Sequence, residues 1–306
     1  MSESVRVSVV VAVDDAETDL EATLCSALGS DLRGLEVVVV DTSSTNRSAA
    51  FDGTRDSRLV RVRLRPGQAA ARARNVGVVR AAAPYVAFLA ADDLIRVERL
   101  DAAVGALERT PAAGFAFADF ECIDAGGGII RPSGVAQYPA FRTLVPEPRE
   151  GGWHLIRQPD LARALLYGNF IARSGLVVRR PLLAEIGPFD ETVACCADLD
   201  LWLRLAHRCD ALYSSQVGCS CRATPRGNSS LTIQAGEDCI AVLRREKRRW
   251  SERAARRALD CRIAQSLASV GYEERRRRHR LRAAAMFAYA FATRPDVRWL
   301  GGMLGL

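Results

Sequence analysis

The sequence predicts an α/β protein whose core is a doubly wound, mostly parallel sheet with helices on both faces. Near-continuous apolar runs at 6–13, 35–40 and 85–91 are typical of strands that are buried on both faces. Residues 20–28 have apolar side chains at helical spacing, and the alanine-rich segment 68–82 also reads as a helix. A strand, a helix and a second strand in this order form a βαβ unit, which makes the strands parallel.

The later elements continue this alternation. The sequence predicts strands at 59–64, 114–120 and 174–179, a helix at 96–108 and a second helix from 197. Residues 131–159 are rich in Pro and Gly and lack periodicity, which predicts a long lid or binding loop that is mobile without ligand.

The C-terminal part reads as successive helices, so we predict one domain over residues 1–230 and a basic helical appendage over 231–306. The chain has a net charge of +7, and the appendage holds 17 Arg/Lys against 8 Asp/Glu, or +9. Its helices also carry the apolar residues Leu281, Met286, Phe287, Tyr289 and Phe291, so they could contact an anionic membrane surface or an acidic acceptor. A solvated basic face on packed helices is the alternative. We expect no nucleic acid partner, because no reading motif is present.

The chain contains no apolar run near the roughly 20 residues that span a bilayer, and the stretch from Met1 to Ser4 does not resemble a signal peptide. We therefore expect a cytoplasmic location, with peripheral contact to the inner face of the membrane if the basic appendage docks there.

Acidic residues follow several predicted strands. Asp14 follows the first strand, Asp41 ends the second, and Asp92 and Asp93 end the run at 85–91. In open α/β sheets ligands bind beyond the carboxyl ends of the strands. Adjacent carboxylates repel, and Mg²⁺ or Mn²⁺ relieves the repulsion while binding phosphate oxygens. Capping of the helix that begins near Arg96 is the alternative role for this pair. No glycine-rich turn follows the first strand, which counts strongly against a dinucleotide-binding dehydrogenase.

Five collinear motifs carry a resemblance to a known family. They are Val7-Ser8-Val9-Val10-Val11, Val39-Val40-Asp41-Thr42-Ser43-Ser44-Thr45, Ala73-Arg74-Asn75-Val76-Gly77, Phe88-Leu89-Ala90-Ala91-Asp92-Asp93, and Gly187-Pro188-Phe189-Asp190-Glu191 followed by Asp198-Leu199-Asp200-Leu201-Trp202. In this order they resemble the family 2 glycosyltransferases, which have the GT-A fold. The resemblance spans roughly residues 7–230.

The resemblance implies transfer of a sugar, with inversion, from a nucleoside-diphosphate sugar to an acceptor nucleophile, with Mn²⁺ or Mg²⁺ as cofactor. Asp93 would bind the metal, and Asp92 the metal or the ribose. Asp198 would be the general base that takes the proton of the acceptor. The donor would contact Arg74 through its phosphates, and its other contacts would be Ala12, Asp14, Asp41, Thr42 and Asp92.

Some positions depart from the family pattern. Ala12-Val13-Asp14-Asp15 replaces a segment with an aromatic residue, Thr42 replaces an aspartate that contacts uracil in some relatives, and Ala197 replaces a glutamate. We expect a pyrimidine nucleotide, while the sugar and the acceptor stay open. The alternative function is that of a catalytically weak or inactive relative, which acts as a nucleotide-binding or partner subunit.

Overall fold

Ten strands and ten α-helices form the part of the chain that the computed structural model describes, which is residues 4–15, 19–29, 34–45, 56–223, 233–296 and 299. The strands are β1 (Val7–Val13), β2 (Leu35–Asp41), β3 (Leu59–Arg63), β4 (Tyr85–Ala90), β5 (Leu94–Ile95), β6 (Ala113–Ile123), β7 (Ile129–Arg131), β8 (Trp153–Ile156), β9 (Val177–Arg179) and β10 (Asp210–Arg222). The helices are α1 (Leu20–Leu28), α2 (Ala70–Arg80), α3 (Val97–Arg109), α4 (Pro139–Arg142), α5 (Asp160–Leu165), α6 (Arg180–Ile186), α7 (Ala197–Arg208), α8 (Ile233–Lys247), α9 (Arg253–Arg276) and α10 (Arg280–Thr293).

All ten strands belong to one mixed sheet with the order β3-β2-β1-β4-β9-β6-β10-β5, while β7 pairs with β6 and β8 with β10. The first four strands are mutually parallel, β9 is antiparallel to both of its neighbours, and β6 and β10 are parallel. The predicted mostly parallel α/β sheet is therefore confirmed, and so is the helical C-terminal region.

Two apolar cores cover the two faces of the sheet, because successive side chains of a strand point to opposite faces. Val9 and Val11 of β1 pack in the core that contains α1 and α3, whereas Val10 packs in the core that contains α2 and α7. Burial on both faces explains why these strands are apolar without alternation.

Helix α2 lies unusually close to β1. A Cβ atom added at Gly77 would lie 2.3 Å from Cγ1 of Val10, so only glycine fits there. The last residue of the Ala73–Gly77 motif therefore sets the distance between the helix and the sheet.

The structure corrects the predicted loop over 131–159. This segment contains β8, which pairs antiparallel with β10 from Ser214 to Ala211, and the short helix α4. The side chains of Trp153 and Phe141 are buried. The prediction of an irregular loop is wrong because these aromatic side chains anchor the segment in the core.

Helices α8, α9 and α10 pack on one another, and α8 also contacts α7. The domain boundary that we predict at residue 230 lies outside the described residues. None of the described helices combines the length and the apolar composition needed to cross a bilayer.

Candidate active site

The carboxyl ends of β1, β2 and β4 meet at one edge of the sheet. In the register of the parallel pairs, Val13 lies beside Asp41 and Ala12 lies beside Ala90. The residues that follow these strands therefore share one edge, the expected position of a ligand site in an open α/β sheet.

Asp93 is buried and held through both carboxylate oxygens. The Ser174 hydroxyl donates to Oδ2 at 2.5 Å, and the backbone N–H of Arg222 donates to Oδ1 at 2.9 Å. The Thr23 hydroxyl donates to the backbone carbonyl of Asp93 at 2.8 Å. Arg96 is the N-cap residue of α3 and no side chain caps this helix, so the capping alternative for the pair is wrong.

The protein environment disfavours the ionised forms of the adjacent Asp92 and Asp93 carboxyls. Burial raises the pKa of Asp92, and the nearby charge of Asp14 adds to this effect against the opposing charges of Arg173 and Arg222. Burial also raises the pKa of Asp93, and the charge of Asp92 raises it further. A cation near the two carboxyls would favour their ionised forms.

Asp198 lies in the first turn of α7 between two arginines. Arg173 donates to Oδ2 at 2.9 Å, and Nη1 of Arg74 lies 3.7 Å from Oδ1. Oδ1 is buried and accepts no hydrogen bond from the described residues. This carboxylate oxygen therefore retains its capacity to accept a proton or a hydrogen bond from a ligand.

Asp200, two residues further along α7, has different surroundings. Its side chain is buried, Arg204 donates to it at 2.8 Å, and Arg245 lies 3.5 Å away. Residues two apart on a helix point about 200° apart. Asp198 lines the central cavity of the site, whereas Asp200 holds α7 against its neighbours.

The Gly187–Glu191 segment fixes the start of α7 relative to α2. The amide of Asn75 accepts from the N–H of Phe189 and donates to the carbonyl of the same residue, both at 2.9 Å. Arg204 donates to the carbonyl of Pro188 at 2.7 Å. The asparagine of one motif thus positions the segment that precedes Asp198.

A cavity of about 630 Å³ joins the three candidate catalytic and metal-binding acids. Asp92, Asp93 and Asp198 all line it, together with Arg173 and Arg222. The cavity extends from the carboxyl edge of the sheet to the inner sides of α8 and α9. A second cavity, of about 580 Å³, lies at the opposite edge of the sheet, near Tyr85, and contains none of the predicted site residues.

The remaining predicted donor residues do not line the cavity that contains Asp92, Asp93 and Asp198. These are Ala12, Asp14, Asp41, Thr42 and Arg74. Asp41 is fully buried and accepts from Arg63 at 2.7 Å. The Thr42 hydroxyl donates to the Val13 carbonyl at 3.0 Å, so this group also ties β2 to β1.

Sequence reasoning missed the residues that hold the acids. Two adjacent residues do so, since Arg173 binds Asp198 and Ser174 binds Asp93. Arg222 contributes its N–H to Asp93, and its guanidinium donates to Asp19 and to the Asp92 carbonyl. No local pattern marks these residues, because their partners are distant in the chain.

Asp92 and Asp93 fit a hard divalent cation. Within the described ranges no group of three or more His, Cys, Asp or Glu side chains could hold a metal. Mg²⁺ is often bound by one or two carboxylates together with substrate phosphates, so two acids suffice. The raised pKa of each carboxyl agrees with this function, because a cation would offset the cost of ionising both.

Residues 8–180 match the model of glycosyl transferase family 2. This match covers more than half of the chain, and the chain belongs to this family. Its fold is of the GT-A type.

Three known proteins illustrate the similarity. The chain is 32% identical over 88 residues to the UDP-Glc:alpha-D-GlcNAc-diphosphoundecaprenol beta-1,3-glucosyltransferase WfaP of Escherichia coli, which covers 28% of this chain and 35% of WfaP. S. aureus TarS 1–349 in complex with UDP-GlcNAc superposes with a TM-score of 0.61 at 17% identity and covers 96% of this chain and 82% of TarS 1–349. The mannosyltransferase PcManGT of Pyrobaculum calidifontis, in complex with GDP-Man and Mn²⁺, gives a TM-score of 0.59 at 20% identity over 99% of this chain and 80% of PcManGT. The curated relatives are matched over 39% and 35% of their own lengths.

Proposed function

We propose that the protein transfers a glycosyl group from a nucleoside-diphosphate sugar to an acceptor nucleophile with inversion at the anomeric carbon. The observation that carries this proposal is that Asp198 lines the same cavity as Asp92 and Asp93 and presents a buried carboxylate oxygen that accepts no hydrogen bond from the described residues. Membership in family 2 and the sugar nucleotides bound by TarS and PcManGT support it.

The donor end of the cavity is the carboxylate pair. Asp93, with Asp92 beside it, would hold Mn²⁺ or Mg²⁺. When bound, such a cation neutralises charge that develops on the departing diphosphate. Ser174 and the backbone of Arg222 keep the Asp93 carboxylate oriented, so little reorganisation is needed when the donor binds.

Asp198 acts as the general base in a single displacement. It takes the proton of the acceptor hydroxyl while the acceptor oxygen forms a bond to the anomeric carbon. The bond from that carbon to the diphosphate oxygen breaks, and the nucleoside diphosphate leaves from the opposite face. Arg173 and Arg74 fix the orientation of the carboxylate.

A pyrimidine base is the donor base that we propose, bound near the ends of β1 and β2 by the segment around Ala12 and Asp14. Asp41 and Thr42 are buried and stabilise this region, because Asp41 accepts a hydrogen bond from Arg63 and Thr42 donates one to the Val13 carbonyl. Titration of the metal-loaded protein with UDP, dTDP, GDP and ADP would test the preference. Tighter binding of the purine nucleotides contradicts it.

The basic appendage provides a surface for peripheral contact with an anionic membrane. Leu281 and Tyr289 are exposed and eight residues apart on α10, with the small Ala285 between them, and they therefore lie on one side of the helix. The arginine-rich end of α9 precedes this helix. Apolar side chains beside clustered arginines are typical of membrane-surface contact.

The experiment that tests the catalytic proposal compares Asp198→Asn with Asp200→Asn. General-base catalysis contributes on the order of 10²–10⁴ in rate, so Asp198→Asn should lose that much turnover while it binds the nucleoside diphosphate with Mn²⁺ normally. Asp200→Asn removes the same charge from the same helix. It should lower the melting temperature, because it breaks the bonds to Arg204 and Arg245, and retain turnover in the folded fraction.

Turnover is measured as donor hydrolysis and as transfer to a panel of acceptors. Normal activity of Asp198→Asn, or selective loss in Asp200→Asn, refutes the assignment of the base. If the wild-type protein binds the nucleotide but neither hydrolyses the donor nor transfers the sugar to any acceptor, the nucleotide-binding or partner-subunit function is supported instead.

A further inference from the structure

The wall of the cavity formed by α9 contains a half-buried arginine that forms no ion pair with a described carboxylate. Arg262 lines the cavity, and its Nη1 donates to the Leu165 carbonyl at 2.7 Å. No described carboxylate lies within ion-pair distance of it. Burial lowers the pKa of this guanidinium, and the groups that act on it are Cys239, Cys196 and Tyr138. A guanidinium has five N–H donors, so this hydrogen bond leaves Arg262 with donors for a ligand in the cavity.

A second arginine of the cavity lining also forms no ion pair with a described carboxylate. Arg131 at the end of β7 lines the cavity, is exposed, and donates only to the Cys122 sulfur, at 3.7 Å, among the described residues. Tyr138 lies within electrostatic reach of both guanidiniums, which oppose the rise in pKa that burial gives to its hydroxyl. The two arginines and the tyrosine all line the same cavity.

The other two arginines that line the cavity do form ion pairs with carboxylates. Arg173 pairs with Asp198, and Arg222 pairs with Asp19. Arg262 and Arg131 are therefore the arginines of the lining that form no ion pair with a described carboxylate, and Ser266 and Ser269 line the cavity beside Arg262 on α9. Cys196, which precedes α7 and also lines the cavity, lies within electrostatic reach of Arg262.

We propose that Arg262, Tyr138 and Arg131 form an acceptor subsite for a phosphate group. Guanidinium groups bind phosphate through paired hydrogen bonds. A phosphate can carry two negative charges and a carboxylate only one, so two arginines suit a phosphate better than a carboxylate. The acceptor hydroxyl then lies at Asp198 and the acceptor phosphate lies under α9. This inference rests on the proposed function, since it assigns the acceptor class of the same site.

Equilibrium binding tests the subsite without turnover. Glucose 1-phosphate and uncharged methyl glucoside are titrated in EDTA, which prevents a metal at Asp92 and Asp93 from binding the phosphate. Glucose 1-phosphate should bind in a salt-sensitive manner and methyl glucoside should not. Arg262→Gln and Arg131→Gln should each weaken the binding about tenfold or more, as expected for bonds to a charged group. Arg257→Gln removes the same charge from an exposed position of α9 outside the cavity and should have no effect.

A separate titration with UDP and Mn²⁺ distinguishes the acceptor phosphate from the donor diphosphate. Both cavity variants should bind UDP as the wild type does. The subsite is refuted if both variants bind glucose 1-phosphate normally, if methyl glucoside binds equally well, or if the variants lose UDP binding, which would assign the arginines to the donor. If Arg262→Gln does not fold, glucose 1-phosphate binding by Arg131→Gln decides between these outcomes, because Arg131 is exposed and its replacement should leave the fold intact. Because binding is measured, failure of the Asp198 mechanism would not change these outcomes.

Discussion

Replacing Gly77 by alanine should damage both the fold and the site. The added Cβ would lie 2.3 Å from Cγ1 of Val10 and 3.2 Å from Cγ2. Carbon atoms pack at about 3.5–4.0 Å, so α2 or β1 has to move by more than about 1 Å. Val10 is fully buried in the central sheet and cannot turn away. Overpacking of this kind costs about 1–3 kcal/mol, which lowers the melting temperature by roughly 2–4 °C for each kcal/mol in a chain of this size.

The displacement also reaches the active site through α2. Arg74, three residues before Gly77, lies 3.7 Å from Asp198, and Asn75 holds the backbone of Phe189 at 2.9 Å. A misplacement of about 1 Å can cost on the order of 10²-fold in rate. We therefore expect turnover of the folded Gly77→Ala protein to fall by up to that factor.

Thermal unfolding and donor turnover are measured on Gly77→Ala and on the control Gly105→Ala. Gly105 lies inside α3, where a new Cβ meets only the flexible end of Arg109 at 3.3 Å. The control should gain about 0.5–1 kcal/mol of stability, because glycine is unfavourable in a helix interior. A Gly77→Ala protein with a melting temperature at or above that of the wild type refutes this account of the packing.

Three other predictions concern the acids and the appendage. Asp92 and Asp93 have raised pKa values, so they take up protons at a pH above the ordinary value of 3.8, and Mn²⁺-dependent UDP binding should weaken as the pH falls towards that value. Without metal, the folded protein binds these protons more tightly than the unfolded chain does, so its melting temperature should fall as the pH rises from 3.8 through the raised pKa values. Titration and thermal unfolding in EDTA check both trends, and a flat profile contradicts them. Ser174→Ala should cost about 1–3 kcal/mol, measured by denaturant unfolding, because Asp93 loses a donor and the Ala90 N–H loses an acceptor. Sedimentation with anionic vesicles should be salt-sensitive and weaker in Leu281→Ser; binding that is independent of both argues for a merely solvated face.

Strands β1, β2 and β4 could be predicted to within one residue because burial on both faces demands apolar side chains. Strand β10 could not. Its pairing with β6 shifts register between Ser214 and Val217 and again before Cys219, and the two residues between Ser214 and Val217 are exposed. A strand interrupted in this way shows neither a continuous apolar run nor alternation, which are the patterns that identify strands.

The acids of the site could be predicted because each follows a recognisable strand or begins a recognisable helix. Their partners could not, because Ser174 and Arg222 lie 81 and 129 residues from Asp93 in the chain. Arg262 is a stronger example. It stands among many arginines of the appendage, and only the packing of α9 against the sheet domain distinguishes it as the one that lines the cavity and donates to Leu165.

The proposed function assigns two ligands to different parts of one cavity. At the carboxyl edge of the sheet two carboxyls have raised pKa values, so a cation with the donor diphosphate would be stabilised there. Arg262 and Arg131 form no ion pair with a described carboxylate, so they would stabilise the proposed acceptor phosphate. Asp198 lines the same cavity and already has Arg173 and Arg74 beside it, so its charge is balanced without a metal. Each proposed ligand would then relieve an unfavourable interaction in its own part of the cavity, and the reacting atoms would meet at Asp198.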